Sequence, residues 1–184
     1  GLVEPQSSGL GGGAFLVYWD AQSRSLATFD GRETAPAAAK PDRFLRDGKP
    51  MPFEAAVRSG LSVGVPGLMR TLEAVHRRFG KLPWSSLFAP AIKLAEEGFP
   101  VSPRLAALLA ASKAEDFSAG ARARFFDEND TPIAAGDVMT NAAYAATLKA
   151  IAEKGADAFY SGPIADAIVK AVQGATSIPG DMTA

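Results

Sequence analysis

The pattern of apolar and polar positions divides the chain into a β-rich opening and a long helical remainder. Residues 14–19, AFLVYW, form an unbroken apolar and aromatic run, and Leu26-Ala27-Thr28-Phe29 resumes β-prone residues after the polar stretch at 20–25. The two runs predict a β-hairpin. The first does not alternate, which predicts a strand covered on both faces. Residues 4–13, EPQSSGLGGG, predict an irregular loop. Pro36, Pro41, Pro50 and Pro52 with mixed charges predict extended, mostly irregular chain, with a short helical turn near residues 53–57 and a short strand at 61–65.

From Pro66 onward the spacing becomes helical. Pro66 opens a helix where a missing N–H costs nothing, with Leu68, Leu72, Val75 and Phe79 as its apolar face and Gly80 as its stop. A second helix is predicted over residues 84–97, bent by Pro90 and ended by Gly98. Ser102-Pro103 caps a third, running to about Lys113. Residues 117–140 are mixed, with a short strand expected at Arg124-Phe125-Phe126. Thr140 or Asn141 caps a fourth helix, with Tyr144, Leu148 and Ile151 on one face and Gly155 at its end; a short turn follows at 156–160. A last helix starts at Pro163 with Ile164, Ile168 and Val172 inward. The expected class is α+β, mostly helical with a β-hairpin, in a single segment: loop and hairpin at 1–36, irregular chain with a short strand at 37–65, and mainly helix at 66–184.

Composition narrows the chemistry. The 184 residues carry 19 Lys+Arg against 20 Asp+Glu, a net charge of −1, so no basic excess points to nucleic acid or an anionic membrane. No apolar run is long enough to span a bilayer. Cysteine is absent, which removes thiol catalysis and disulfide frameworks, and a single histidine, His76, cannot supply paired imidazoles for zinc. No metal or cofactor is called for. The chain opens on Gly1 without a methionine and stops in PGDMTA, so both ends read as cuts from a longer protein.

Candidate sites compete with plainer readings. The glycines of SSGLGGG precede a strand and lack a following Lys-Ser/Thr, so a structural loop is favoured over a phosphate cradle. Ser7 and Ser8 would need a base, and His76 sits among basic residues on a helix pattern, which favours a solvated role. Asp127-Glu128-Asn129-Asp130 lacks the spaced ligands and closing Glu of a calcium loop and reads as a solvated turn. Arg77-Arg78 and Glu96-Glu97 read as exposed helix charges. Arg32, in the charged turn Asp30-Gly31-Arg32-Glu33, is different: a guanidinium offers a carboxylate a rigid bidentate fork. Its alternative is a local ion pair with Asp30 or Glu33, and spacing alone slightly favours that pair.

The motifs EPQSSGLGGGAF, DGRETAP, GLSVGVPG, FGKLPW, FAPAIKLAEEGFPVSP, AAGD, IAEKGADAFYSGPIADAIV and PGDMT, in this order, resemble the large subunit of gamma-glutamyltranspeptidase over nearly the whole chain. The resemblance implies a partial segment of an N-terminal-nucleophile hydrolase, an αββα sandwich that cleaves itself into two subunits. It implies a threonine nucleophile at the start of a small subunit absent from this chain, and a γ-glutamyl donor such as glutathione whose acyl group passes to water or an amine. The arginine of the motif matching DGRETAP holds the donor α-carboxylate, which assigns that role to Arg32 and makes Asp30 and Glu33 candidates for orienting its fork. Thr183 lies well before the cleavage point and is not the nucleophile. This segment alone is expected to be inactive, and to self-associate through residues 14–29 if its covering segments are missing. The family also implies a periplasmic or secreted protein. Relatives acting on cephalosporin side chains or polyglutamate, and a non-catalytic helical interaction domain, are the alternatives.

Overall fold

The computed structural model describes residues 1–184. In chain order the elements are β1 (Ala14–Asp20), β2 (Ser25–Gly31), β3 (Leu45–Arg46), β4 (Lys49–Pro50), α1 (Phe53–Val57), α2 (Leu68–Phe79), α3 (Ala89–Glu97), β5 (Phe99–Pro100), α4 (Pro103–Ala110), α5 (Ala119–Phe125), β6 (Val138–Met139), α6 (Ala142–Lys154), α7 (Asp157–Tyr160) and α8 (Pro163–Gln173). Three separate antiparallel pairs, β1–β2, β3–β4 and β5–β6, make up the sheet content, so the expected mixture of helix with a hairpin holds. The chain folds as two compact units. One joins Gly1–Gly9 to Ser86–Lys149, and the other joins Leu10–Ser85 to Ala150–Ala184.

The first unit buries Phe99, Val101, Leu105, Leu109, Ala114, Phe126 and Met139 as one cluster. β5 and β6 pair Phe99 with Met139, which sets two of these side chains on the same face. Ser102 caps α4 by accepting the Leu105 N–H at 3.0 Å, as its position before Pro103 predicts. α6 is capped by Asn141, whose side-chain oxygen accepts the Tyr144 N–H at 2.9 Å.

The second unit is organised by α2 lying on the hairpin. β1 and β2 pair from Ala14 with Gly31 to Asp20 with Ser25. Their inner face packs on α2 through Tyr18, whose ring stacks on Phe79 at 3.9 Å, and Phe29, which meets Phe79 edge-on at 6.1 Å. The Trp84 indole N–H donates to the Ile151 carbonyl at 2.9 Å and ties the segment after α2 to the end of α6.

Several elements depart from the sequence expectation, each for a local reason. The hairpin is covered on one face only: Phe15 (67%), Val17 (68%), Trp19 (56%) and Leu26 (61%) remain exposed, because α2 covers only the face that carries Tyr18 and Phe29. Residues 61–65 form no strand; a 3-10 turn at Gly60–Ser62 leads to a single bridge between Val65 and Thr34. Residues 124–125 close α5 and Phe126 forms only a bridge to Pro132, since Ser118 caps a helix whose span reaches Phe125. Pro90 does not bend a long helix. Residues 84–87 form a 3-10 turn, and Pro90 sits in the first turn of a new helix, where it removes no bond. α4 stops at Ala110, three residues early. On α2 the buried positions are Met69, Thr71 and Glu73, whereas Leu72 is partly exposed; Thr71 abuts Gly31 and Glu73 binds the Ala156 N–H, so the covered face carries polar side chains. Within the stretch expected to be irregular, Asp47-Gly48, both at positive φ, form the tight turn of a β3–β4 hairpin.

Candidate functional site

Arg32 leaves the end of β2 at the point where the chain turns beneath α2. A cleft of about 480 Å³ opens there, lined by Gly11, Arg32, Glu33, Thr34, Ala35, Ser62, Val63 and Gly64. The Arg32 side chain is 71% exposed, so its fork faces solvent at the rim. Its Nε lies 3.3 Å from Glu33 Oε2. This pair is weak at such exposure, yet it restrains the direction of the guanidinium. Asp30 acts on the backbone instead: its Oδ1 accepts the Arg32 N–H at 3.0 Å, closing the turn. Of the two candidates for orienting the fork, Glu33 touches it and Asp30 shapes the main chain below it.

The turn is held by close backbone packing that requires glycine. A Cβ at Gly67 would fall 2.3 Å from the Gly31 carbonyl oxygen, one at Gly13 would fall 2.6 Å from the same oxygen, and one at Gly64 would fall 2.8 Å from the Glu33 Cβ. Two bonds then sew the far wall to the near one: Val65 N–H donates to Thr34 O at 2.8 Å and Thr34 N–H to Val65 O at 3.2 Å. The glycine-rich loop serves the same scaffold. Gly12 turns its carbonyl to the start of α2 and accepts the Gly67 and Leu68 N–H groups at 3.2 and 3.0 Å. It thereby satisfies donors that a glycine N-cap has no side chain to reach. The loop is a helix cap, in line with the structural reading of those glycines.

The remaining candidates resolve into structure. His76 is not simply solvated. Its Nε2 is bonded to the Leu82 carbonyl oxygen at 2.8 Å and its ring meets Trp84 at 5.2 Å, which fixes the turn after α2. Ser7 and Ser8 are exposed on the N-terminal loop. In the acidic turn, Asp127 Oδ1 accepts the Thr131 and Asn129 N–H groups at 2.8 Å, and the Thr131 bond foremost holds its carboxyl below the usual range. Asp130 takes a two-pronged contact from Arg122 at 2.6 and 2.7 Å. Arg77 is tied to Glu73 at 3.2 Å, while Glu96 pairs with Lys149 and Glu97 with Lys93.

Two polar assemblies escaped the sequence reading. Glu73 is buried, and its carboxylate accepts the Ala156 N–H at 2.9 Å and contacts Arg70 at 3.1 Å and Arg77 at 3.2 Å. The i+3 and i+4 spacing of the arginines was visible, but nothing local marked this carboxylate as buried. Arg43 reaches Asp181 across 138 positions of sequence, a pairing with no local signal at all.

A model of the gamma-glutamyltranspeptidase family matches residues 1–184. The glutathione hydrolase proenzyme of Bacillus subtilis is 39% identical over 173 residues, covering 94% of this chain and 29% of the relative's length. The gamma-glutamyltranspeptidase of Helicobacter pylori superposes with a TM-score of 0.86 at 33% identity, over 92% of this chain and 48% of that one. A cephalosporin acylase from Bacillus halodurans superposes at 0.72 and 27% identity, over 94% and 32%. The chain therefore spans less than a third of the Bacillus subtilis relative and about half of the Helicobacter pylori chain. With a family model that matches from the first residue to the last, this chain belongs to the gamma-glutamyltranspeptidase family.

Proposed function

We propose that this chain forms the carboxylate-anchoring wall of an enzyme that cleaves γ-glutamyl amides such as glutathione, with Arg32 gripping the α-carboxylate of the donor. The observation that carries this reading is the exposed Arg32 fork at the rim of the cleft, steered by Glu33 and set on a glycine-packed turn. A fork that stays charged at all working pH values and projects from a stiff turn suits a carboxylate. The reacting group lies elsewhere: a threonine at the start of a small subunit would attack the γ-amide carbonyl, release the amine and pass the acyl group to water or an acceptor amine. The segment described here would then be part of an N-terminal-nucleophile αββα sandwich, inactive by itself. Family membership likewise suggests a periplasmic or secreted protein, which fractionation of expressing cells would check.

The test is the full-length gene product with Arg32→Ala. Loss of a charge-assisted bond of about 1.5–3 kcal/mol raises KM for a γ-glutamyl donor about ten- to hundredfold while kcat changes little. Unchanged kinetics end the anchoring role, and a wild-type protein that turns over no γ-glutamyl donor favours a non-catalytic interaction domain. The likeness to the cephalosporin acylase supports one rival substrate class. Turnover of a cephalosporin in preference to a γ-glutamyl amide would select it.

A further inference from the structure

Resting on the Arg32 reading, we infer that the Arg43–Asp181 pair is a positioning device for the cleft: it clamps the wall formed by residues 62–64 opposite Arg32 and so sets how tightly an anionic donor is held. Arg43 is 9% exposed at its side chain. Its Nε–H donates to the Leu61 carbonyl at 2.8 Å, its Nη1 donates to Asp181 Oδ2 at 2.8 Å, and its Nη2 lies 2.7 Å from Asp181 Oδ1. One guanidinium thus joins the chain immediately before the cleft wall to the C-terminal stretch. The same two stretches are pressed together beside it. Gly60 N–H donates to Ile178 O at 2.7 Å, and a Cβ at Gly60 would fall 2.4 Å from Gly180 N. Gly180 N–H in turn donates to Val172 O at 2.9 Å, anchoring the assembly on α8. The wall is therefore fixed at both ends, at residues 60–61 by Arg43, Ile178 and Gly180, and at Val65 by the two bonds to Thr34. Arg32 lies two residues from Thr34, so a shift at Leu61 reaches the arginine through the wall and this bridge. A buried guanidinium that loses its partner cannot stay where it is without cost, and the wall it holds would move with it.

The experiment uses the full-length gene product as wild type, Asp181→Asn, Arg43→Lys and Arg32→Ala. It reads KM and kcat for a γ-glutamyl amide, together with amide hydrogen exchange by mass spectrometry. Asp181→Asn is expected to raise KM roughly three- to tenfold with kcat within about twofold, a scale set by sub-ångström misplacement of a binding wall. Exchange should quicken at residues 61–65 and not in α4. Arg43→Lys, which keeps the charge but loses the fork and the bond to the Leu61 carbonyl, should raise KM at least as much as Asp181→Asn, and it serves if the asparagine variant does not fold. An unchanged KM in both variants, alongside a raised KM in Arg32→Ala, overturns the positioning role and leaves the anchor intact. Faster exchange throughout the protein with KM unchanged also overturns it, since that is the mark of a merely structural pair. If Arg32→Ala has no effect, the anchor itself falls and this inference falls with it.

Discussion

Gly31 and Thr71 are in direct contact: a Cβ built on Gly31 would lie 1.9 Å from Thr71 Oγ1 and 2.7 Å from Thr71 Cβ. The last residue of β2 and the first turn of α2 therefore meet with no room for a methyl group, one residue before Arg32. Thr71 is itself held, since its hydroxyl donates to the Gly67 carbonyl at 3.0 Å. Gly31→Ala is expected to destabilise by about 1–3 kcal/mol through overpacking and to raise KM for an anionic donor by displacing Arg32. Thr71→Ala should rescue only part of the loss, because the clash with Cβ remains. Unfolding curves of the two single variants and the double variant measure both points, and full rescue would contradict the geometry.

Glu73 is the buried anion on which α2 is aligned. Glu73→Ala strands the buried Ala156 N–H and is expected to cost about 1–3 kcal/mol, the penalty for an unsatisfied buried donor, while Arg70, still bonded to Asp157, and the exposed Arg77 turn to solvent. Glu73→Gln keeps an acceptor for that N–H and should cost clearly less. Gly155→Ala attacks the same spot from the other side, since φ is 77° and the new Cβ would lie 2.7 Å from Glu73 Oε1. The left-handed backbone alone should cost about 1–2 kcal/mol. Denaturant titrations rank the three variants, and equal losses for alanine and glutamine at Glu73 would contradict the role of the N–H.

The bare face of the hairpin predicts behaviour of the isolated 184-residue chain. Phe15, Val17, Trp19 and Leu26 lie side by side on it, since Trp19 pairs with Leu26. Exposed apolar strands seek partners. Light scattering should find the isolated chain associated, and Val17→Thr with Trp19→Thr should shift it toward monomer. A dilute, heat-stable wild-type monomer would sink the idea.

Acid should release the Arg43–Asp181 clamp. The Arg43 hydrogen bond holds the Asp181 carboxyl below its ordinary value of 3.8. A depressed folded value means that the carboxylate contributes stability above about pH 4, and that this contribution is lost as pH falls through the lower folded value. The difference in unfolding midpoint between wild type and Asp181→Asn should be constant from pH 5 to 7 and shrink at more acid pH. A difference that grows on acidification would contradict the pairing.

Elements whose signals are local can be read from the residues alone. The hairpin runs, Ser102 before Pro103, Asn141 as a cap and Gly98 and Gly155 as helix ends act within a few residues, and each appears where expected. The order of motifs also carried the family, and with it the interest in Arg32. Which faces are covered depends on what lies opposite them in the folded chain: β1 lacks alternation yet shows one bare face, and α2 buries Glu73 while leaving Leu72 partly exposed. Tertiary structure also decides the setting of Arg32. The glycines that pack around its turn come from three separate stretches, at Gly13, Gly31 and residues 64–67, and Arg43 finds Asp181 from the far end of the chain. Contacts between distant stretches arise from how the chain closes on itself, and no periodicity, cap or turn rule encodes them.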